Sequence, residues 1–255
     1  MSVSVCPLPT RHLTMTSELD GQLAHLYSVR HPVSKSRYQG ASRPMTWQNH
    51  PWEKRYAREG HVYPEPFLGL PQVVRIFREN DCQYILDLGC GTGRHAVHMT
   101  KAGFSVLGTD ISWTALKLAQ AWAREEAITV PLAHMDTRRG LPFAPATFDG
   151  ILSTQVIHHA ILAEVRRTIE DLYRVLRPEG FAFVTVSGRR GDWCDWGPFE
   201  EIEPSTYVPQ AGREPGLPHH IFSEPDLRYE FRAFEVLGTS YRADGKVLTI
   251  WVKKP

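Results

Sequence analysis

Three glycines stand at alternate positions in Leu86-Asp87-Leu88-Gly89-Cys90-Gly91-Thr92-Gly93-Arg94. Between a short apolar run and a helix-forming segment, such glycines let the backbone turn tightly and come close to a ligand. The backbone N–H groups at the helix start then favour an anionic group. Counted from Gly89, the sixth position is Arg94, so the third glycine falls one place early for G-x-G-x-x-G. That spacing counts against a nicotinamide or flavin enzyme. His158-His159 and His219-His220 supply imidazoles able to take a proton near neutral pH. His158, His219 and His220 are the candidate catalytic residues; the plainer reading of the late pair is a histidine that stabilises the Pro-bounded turn before it. His134, Asp136 and these histidines are numerous enough to raise a metal site, which needs three or four convergent ligands. No pair has the i, i+4 spacing of a helical zinc site, so no metal is assigned. Trp193 and Trp196 either line an aromatic acceptor pocket or plug the core beneath a long loop, and Tyr207 is a further candidate pocket residue.

Alternating strands and helices must hold these groups. Leu70 to Arg78 reads as a helix with Val73, Val74, Ile76 and Phe77 on its buried side. Tyr84 to Leu88 is an apolar run suited to a strand buried on both faces of a parallel sheet. A helix from Arg94 to Lys101 stops at Gly103, a strand covers Phe104 to Thr109, and Ser112 is a good N-cap for the next helix. Further strands are expected near Val130 to Met135 and Phe148 to Ser153. Ile161, Val165, Ile169, Leu172 and Leu176 form one apolar helical stripe ended by Pro178-Glu179-Gly180, before a fifth strand at Phe181 to Val186. A Trp-, Pro- and Gly-rich insertion at about 188–222 follows. A helix near Glu224 to Phe231 then leads to two strands joined through Asp244-Gly245, which makes them antiparallel. The fold class is α/β: a doubly wound, Rossmann-like sheet, mostly parallel with a C-terminal antiparallel strand pair. Residues 1–50 form an N-terminal extension, either a lid with a short helix over Leu19 to Val29 or a disordered tail. Residues 51–255 form the main domain.

The glycine loop preceded by Asp87 resembles the first motif of class I S-adenosylmethionine-dependent methyltransferases, with the further motifs of the methyltransferase type 11 or UbiE-like set following in order. Asp110, ending Leu107-Gly108-Thr109-Asp110, matches the family's ribose-binding acid; a carboxylate there accepts both ribose hydroxyls. Met135-Asp136 matches the pair flanking the adenine. Leu141-Pro142-Phe143 through Asp149, and Arg174 through Gly180, match the runs around the fourth and fifth strands. The resemblance covers residues 80–190 most fully. It implies S-adenosyl-L-methionine as cofactor, bound by Asp87, Gly89, Cys90, Gly91, Gly93, Asp110, Ile111, Met135, Asp136, Ser153 and Thr154. It implies that Trp52 and Tyr56 close over the methionine end, and that His159 is a structural residue capping the next helix. The implied activity is methyl transfer to an oxygen, nitrogen or sulfur of a small molecule. The alternatives are a methyltransferase acting on RNA or protein, and a non-catalytic S-adenosylmethionine-binding subunit.

Composition narrows the partners. The 255 residues carry 29 basic and 28 acidic side chains, a net charge of +1, which gives no support for capture of duplex DNA or an anionic membrane by bulk charge. The pairs Arg138-Arg139, Arg166-Arg167 and Arg189-Arg190 read as solvated faces, or as a basic patch if they converge. Cys6, Cys82, Cys90 and Cys194 show no paired spacing, which suits a reduced protein. No apolar run approaches the ~20 residues of a membrane span, and the first residues lack a secretory apolar stretch. A cytoplasmic enzyme is expected.

Overall fold

The computed structural model describes residues 46–191 and 197–255. The helix expected over Leu19 to Val29, and Cys6, Trp193, Cys194 and Trp196, lie outside the described residues. A 3-10 turn at Trp47–Asn49 leads into α1 (Pro51–Glu59) and α2 (Leu70–Glu79). Next come β1 (Tyr84–Leu88), α3 (Arg94–Lys101), β2 (Ser105–Asp110), α4 (Trp113–Glu125), β3 (Leu132–His134) and β4 (Phe148–Thr154). The long α5 (Leu162–Val175) runs directly into β5 (Leu176–Ser187). The insertion holds β6 (Phe199–Glu203), β7 (Thr206–Pro209) and β8 (His219–His220). The chain ends with α6 (Glu224–Glu230), β9 (Glu235–Tyr241) and β10 (Val247–Lys253).

Seven strands form the main sheet in the order β3-β2-β1-β4-β5-β10-β9. β1 to β5 run parallel, and β10 lies antiparallel between β5 and β9. The fold class read from the sequence is the one observed. Alternation along each strand divides the core between two faces. Leu86, Ile151, Val184 and Ile250 meet Val165, Ile169 and Leu172 of α5 and Leu227 of α6. Ile85, Leu152 and Phe183 meet Leu70, Val73 and Phe77 of α2 and Ala96 and Met99 of α3. Each such buried Val, Leu, Ile, Phe or Met side chain contributes about 1.5–3 kcal/mol of transfer free energy. The helices therefore cover both faces and leave the carboxyl edge of the parallel strands for the loops.

Strand order reverses between β1 and β4, both of which leave the sheet at that edge. The loops after β1, β2, β3 and β4 come together there, the usual place for a ligand in an open parallel sheet. The insertion contains an antiparallel sheet of order β6-β7-β8, which the sequence pattern did not reveal. Backbone bonds fasten the insertion to the body, among them His220 N–H to the His158 carbonyl (2.8 Å) and Phe222 N–H to the Ser187 carbonyl (2.9 Å). Among the described residues, no helix is long and apolar enough to cross a membrane.

Candidate functional site

The loop after β1 keeps all three glycines in the left-handed region, with φ of 70° at Gly89, 55° at Gly91 and 89° at Gly93. Each meets a different constraint. A Cβ on Gly89 would lie 2.2 Å from the Val156 side chain, and one on Gly91 would lie 2.6 Å from the Tyr56 hydroxyl. Gly89, Cys90, Gly91 and Thr92 border the cavity at the sheet edge. Gly93 does not line that cavity: a Cβ there would lie 2.9 Å from the Ala119 Cβ, so its role is the close approach of α3 to α4.

Asp110 ends β2 under this loop. Its carboxylate accepts the Gly91 N–H at 2.9 Å and the Ser112 N–H at 2.8 Å, one on each oxygen. Burial pushes the carboxyl up to about 6, against the pull of those N–H groups. Asp87 lies deeper, fully buried, and neither of its oxygens has a hydrogen-bond partner. Burial pushes that carboxyl up to about 7, with the Arg94 guanidinium pulling the other way. Ser112 caps α4 by accepting the Ala115 N–H, and its own hydroxyl donates to Glu53 of α1 at 2.5 Å. Thr114 donates to the same carboxylate at 2.6 Å, so Glu53 ties α1 beside the cavity. That residue carried no recognisable signal in the sequence.

Ile111, Met135, Asp136 and Thr154 also line the cavity, but Ser153 does not; its hydroxyl is sealed inside the sheet. The alternation of a strand sends Ser153 and Thr154 in opposite directions. Both oxygens of Asp136 are held by Arg138, at 2.9 Å each.

The opposite side of the cavity is built from α1, the segment after β4, and β8. Trp52, Tyr56, His158, His159 and His219 line it, together with Glu214. The ring centroids lie 4.0 Å apart for His158 and His159, 5.9 Å for His158 and His219, and 4.8 Å for His159 and His219. Trp52 approaches His159 at 6.1 Å. Glu214 sits 3.3 Å from His219 Nε2 and 3.9 Å from Arg55. Burial lowers the pKa of His219 to about 3 and raises that of Glu214 to about 7. His158 and His159 are also held well below the ordinary imidazole value, by burial and by neighbouring imidazoles.

Two candidates from the sequence lie elsewhere. His220 is not at the cavity, because it follows His219 on a strand and points to the other side, where its Nδ1 is 2.7 Å from the Thr206 hydroxyl. Tyr207 packs edge-on against Phe199 in the small sheet and does not line the cavity. Conversely, His159 faces the cavity beside His158, where the resemblance implied a capping role. Glu214 was missed because nothing near it is periodic and its partners are far off in sequence. Of the arginine pairs, Arg138 lines the cavity and is held by Asp136, Arg167 donates to the Arg138 carbonyl at 3.2 Å, Arg166 is held by Glu230, and Arg190 lies over Tyr241.

Residues 85–180 match a family profile described as a methyltransferase domain. The chain is 30% identical over 116 residues to an uncharacterized methyltransferase of Synechocystis sp., a match covering 46% of this chain and 52% of that protein. Residues 85–180 thus carry a methyltransferase domain, and over this part the chain is similar to S-adenosylmethionine-dependent methyltransferases. It is also 33% identical over 105 residues to a ubiquinone biosynthesis O-methyltransferase of Chelativorans sp., covering 41% of this chain and 40% of that one. The matches thus span about half or less of these relatives. A solved structure of 1,6-didemethyltoxoflavin-N1-methyltransferase from Burkholderia thailandensis, with 1,6-didemethyltoxoflavin and S-adenosylhomocysteine bound, shares the fold. Its TM-score is 0.58 at 20% identity, covering 79% of this chain and 84% of that one.

The methyltransferase cofactor fits the glycine-loop edge. Each oxygen of Asp110 spends one lone pair on a backbone N–H and keeps another for a vicinal hydroxyl. Ile111 and Met135 offer apolar flanks beside it, and the loop backbone at Gly89 to Thr92 is bare of bulky side chains. When bound, S-adenosylmethionine supplies an electrophilic methyl group on a sulfonium.

Proposed function

We propose that the protein transfers the methyl group of S-adenosylmethionine to an oxygen, nitrogen or sulfur of a small molecule. The acceptor would sit between the glycine-loop edge and the His158, His159 and His219 cluster. One observation carries the reading: a single cavity of about 930 Å³ is bordered by both sets of residues. That volume suits a cofactor together with a compact acceptor. In this reading Asp87, Gly89, Cys90, Gly91, Asp110, Ile111, Met135, Asp136 and Thr154 belong to the cofactor side. Trp52 and Tyr56 close the cavity from α1. The named activities of the Chelativorans and Burkholderia relatives, both on small molecules, support the choice of acceptor class.

Most of the acceleration would come from alignment, which contributes about 7–11 kcal/mol when reacting atoms are well placed. His158 and His159 face the acceptor from the cavity wall and orient it. A group that takes up a proton near neutral pH works best with a pKa close to 7. Glu214 meets that condition, whereas burial leaves His219 too weak a base to hold the proton. Glu214, which lines the cavity, is therefore the group that takes the proton.

The test measures S-adenosylhomocysteine release against a panel of phenols, catechols, thiols and heteroaromatic amines, with RNA and protein extracts as separate arms. Turnover with one chemical class of small molecule is expected. Turnover with RNA or protein alone, or none at all despite tight cofactor binding, would contradict the reading.

A further inference from the structure

We propose that His158, His159 and His219 form a binding site for a divalent transition-metal ion of the zinc class, placed in the acceptor half of the cavity. Their ligand atoms all lie within 4.8 Å of one another. Imidazoles on one tetrahedral zinc, with Zn–N bonds near 2.1 Å, place their nitrogens about 3.4 Å apart and their ring centroids about 5 Å apart. The observed centroid separations, 4.0, 4.8 and 5.9 Å, bracket that spacing. The backbone is already fixed: the bond from His220 N–H to the His158 carbonyl locks the two ligand-bearing segments together.

The surroundings suit a cation. His158 is 1% exposed, and its Nδ1 is buried without a hydrogen-bond partner. Glu214, at 3.3 Å from His219 Nε2, stands where a carboxylate orients a metal-bound imidazole by taking its second N–H. That contact would commit the other nitrogen of His219 to the ion. Three protein nitrogens leave a fourth position open toward the cavity, the arrangement of a catalytic rather than a structural zinc site. The open position takes a hydroxyl, thiol or ring nitrogen of the acceptor. Only this last statement rests on the methyltransferase reading. No such site was expected from the sequence, because the ligands come from two segments 60 residues apart rather than from one helix.

The experiment uses the full chain, stripped with a chelator. It is titrated with Zn²⁺ by calorimetry and with Co²⁺ by visible absorption, and S-adenosylhomocysteine affinity is measured in parallel. One ion per chain is expected, with the intensified cobalt absorption of a low-symmetry imidazole site. His158→Gln and His159→Ala should each weaken ion binding at least tenfold while keeping S-adenosylhomocysteine affinity within threefold. His61→Ala, on the surface, should change neither. Absence of a stoichiometric ion in the unaltered chain, or unchanged affinity in both cluster variants, overturns the site. If the variants fail to fold, seen as loss of both ligands, the cobalt spectrum of the unaltered chain decides, and a spectrum without imidazole ligation overturns the proposal. Ion binding without any S-adenosylhomocysteine binding would instead overturn the methyltransferase reading and leave the metal site standing.

Discussion

The two sides of the cavity are built in opposite ways. The glycine-loop side comes from short stretches that each leave a strand of the parallel sheet, and every group in it lies within a few residues of a strand end. The histidine side gathers α1, the segment after β4 and β8 of the insertion, so its members are up to 167 residues apart (Trp52 to His219). The first side is written in local sequence, while the second exists only once the insertion has docked. A local site is fixed by backbone conformation and tolerates little change; an assembled site depends on side chains and can be altered without disturbing the first.

That contrast makes Gly91→Val the most damaging single change. The valine must adopt φ near 55°, where β-branched residues are strained, and its Cβ meets the Tyr56 hydroxyl at 2.6 Å. S-adenosylhomocysteine affinity should fall by more than about 100-fold, or roughly 2.7 kcal/mol. Normal binding by a folded variant would remove the loop from the cofactor side.

Asp110→Ala should weaken cofactor affinity by about 1.5–3 kcal/mol, the usual loss of hydrogen bonds to a charged group. Calorimetry beside a circular dichroism spectrum distinguishes this from unfolding. Unchanged affinity would place the ribose contact elsewhere.

On the assembled side, Glu214→Gln should leave cofactor affinity within threefold, about 0.7 kcal/mol, and act on turnover. Glu214 must be ionised to take a proton, so the rate of the unaltered enzyme should rise with pH through about 7 and level off above it. The variant should lose that limb. A limb that survives the substitution would exclude Glu214 as the proton acceptor.

Asp87→Asn probes stability instead of ligand binding or turnover, through the electrostatic cost stored beneath the loop. The folded carboxyl, at about 7, lies above its ordinary value of 3.8, so the folded state holds the proton more tightly than the unfolded chain. The stability of the unaltered protein should therefore fall as pH rises from about 4 through 7. The asparagine variant, which carries no charge, should melt several degrees higher at pH 8, with the gap narrowing at pH 5.5. An equal gap at both values would show that Asp87 carries no such penalty.

How much was legible follows from the same contrast. β1, β2, β4, α3 and α5 could be placed to within one residue because their apolar periods are strong and their stops are local, as with Gly103 after α3. β6 was not legible: Phe-Glu-Glu-Ile-Glu is half-exposed and acidic, and its pairing with β7 is decided by the docked insertion. α1 was missed because its buried members are Pro51, Arg55 and Tyr56, a face that no hydrophobic pattern marks. The glycine loop, Asp110 and Met135 could be named from sequence because each ends a recognisable strand. The histidine pairs could be named too, but not which member of each faces inward. Adjacent residues on a strand point to opposite sides, so His219 enters the cavity and His220 leaves it, whereas His158 and His159, on an irregular segment, both face in.

The most direct measurement is a calorimetric titration of the full chain with S-adenosylmethionine, S-adenosylhomocysteine and NAD in turn. One site per chain for both adenosyl ligands and no heat from NAD is expected, with both affinities reduced in Asp110→Ala. Binding of NAD, with no response to either adenosyl ligand, would contradict the assignment of the glycine-loop edge.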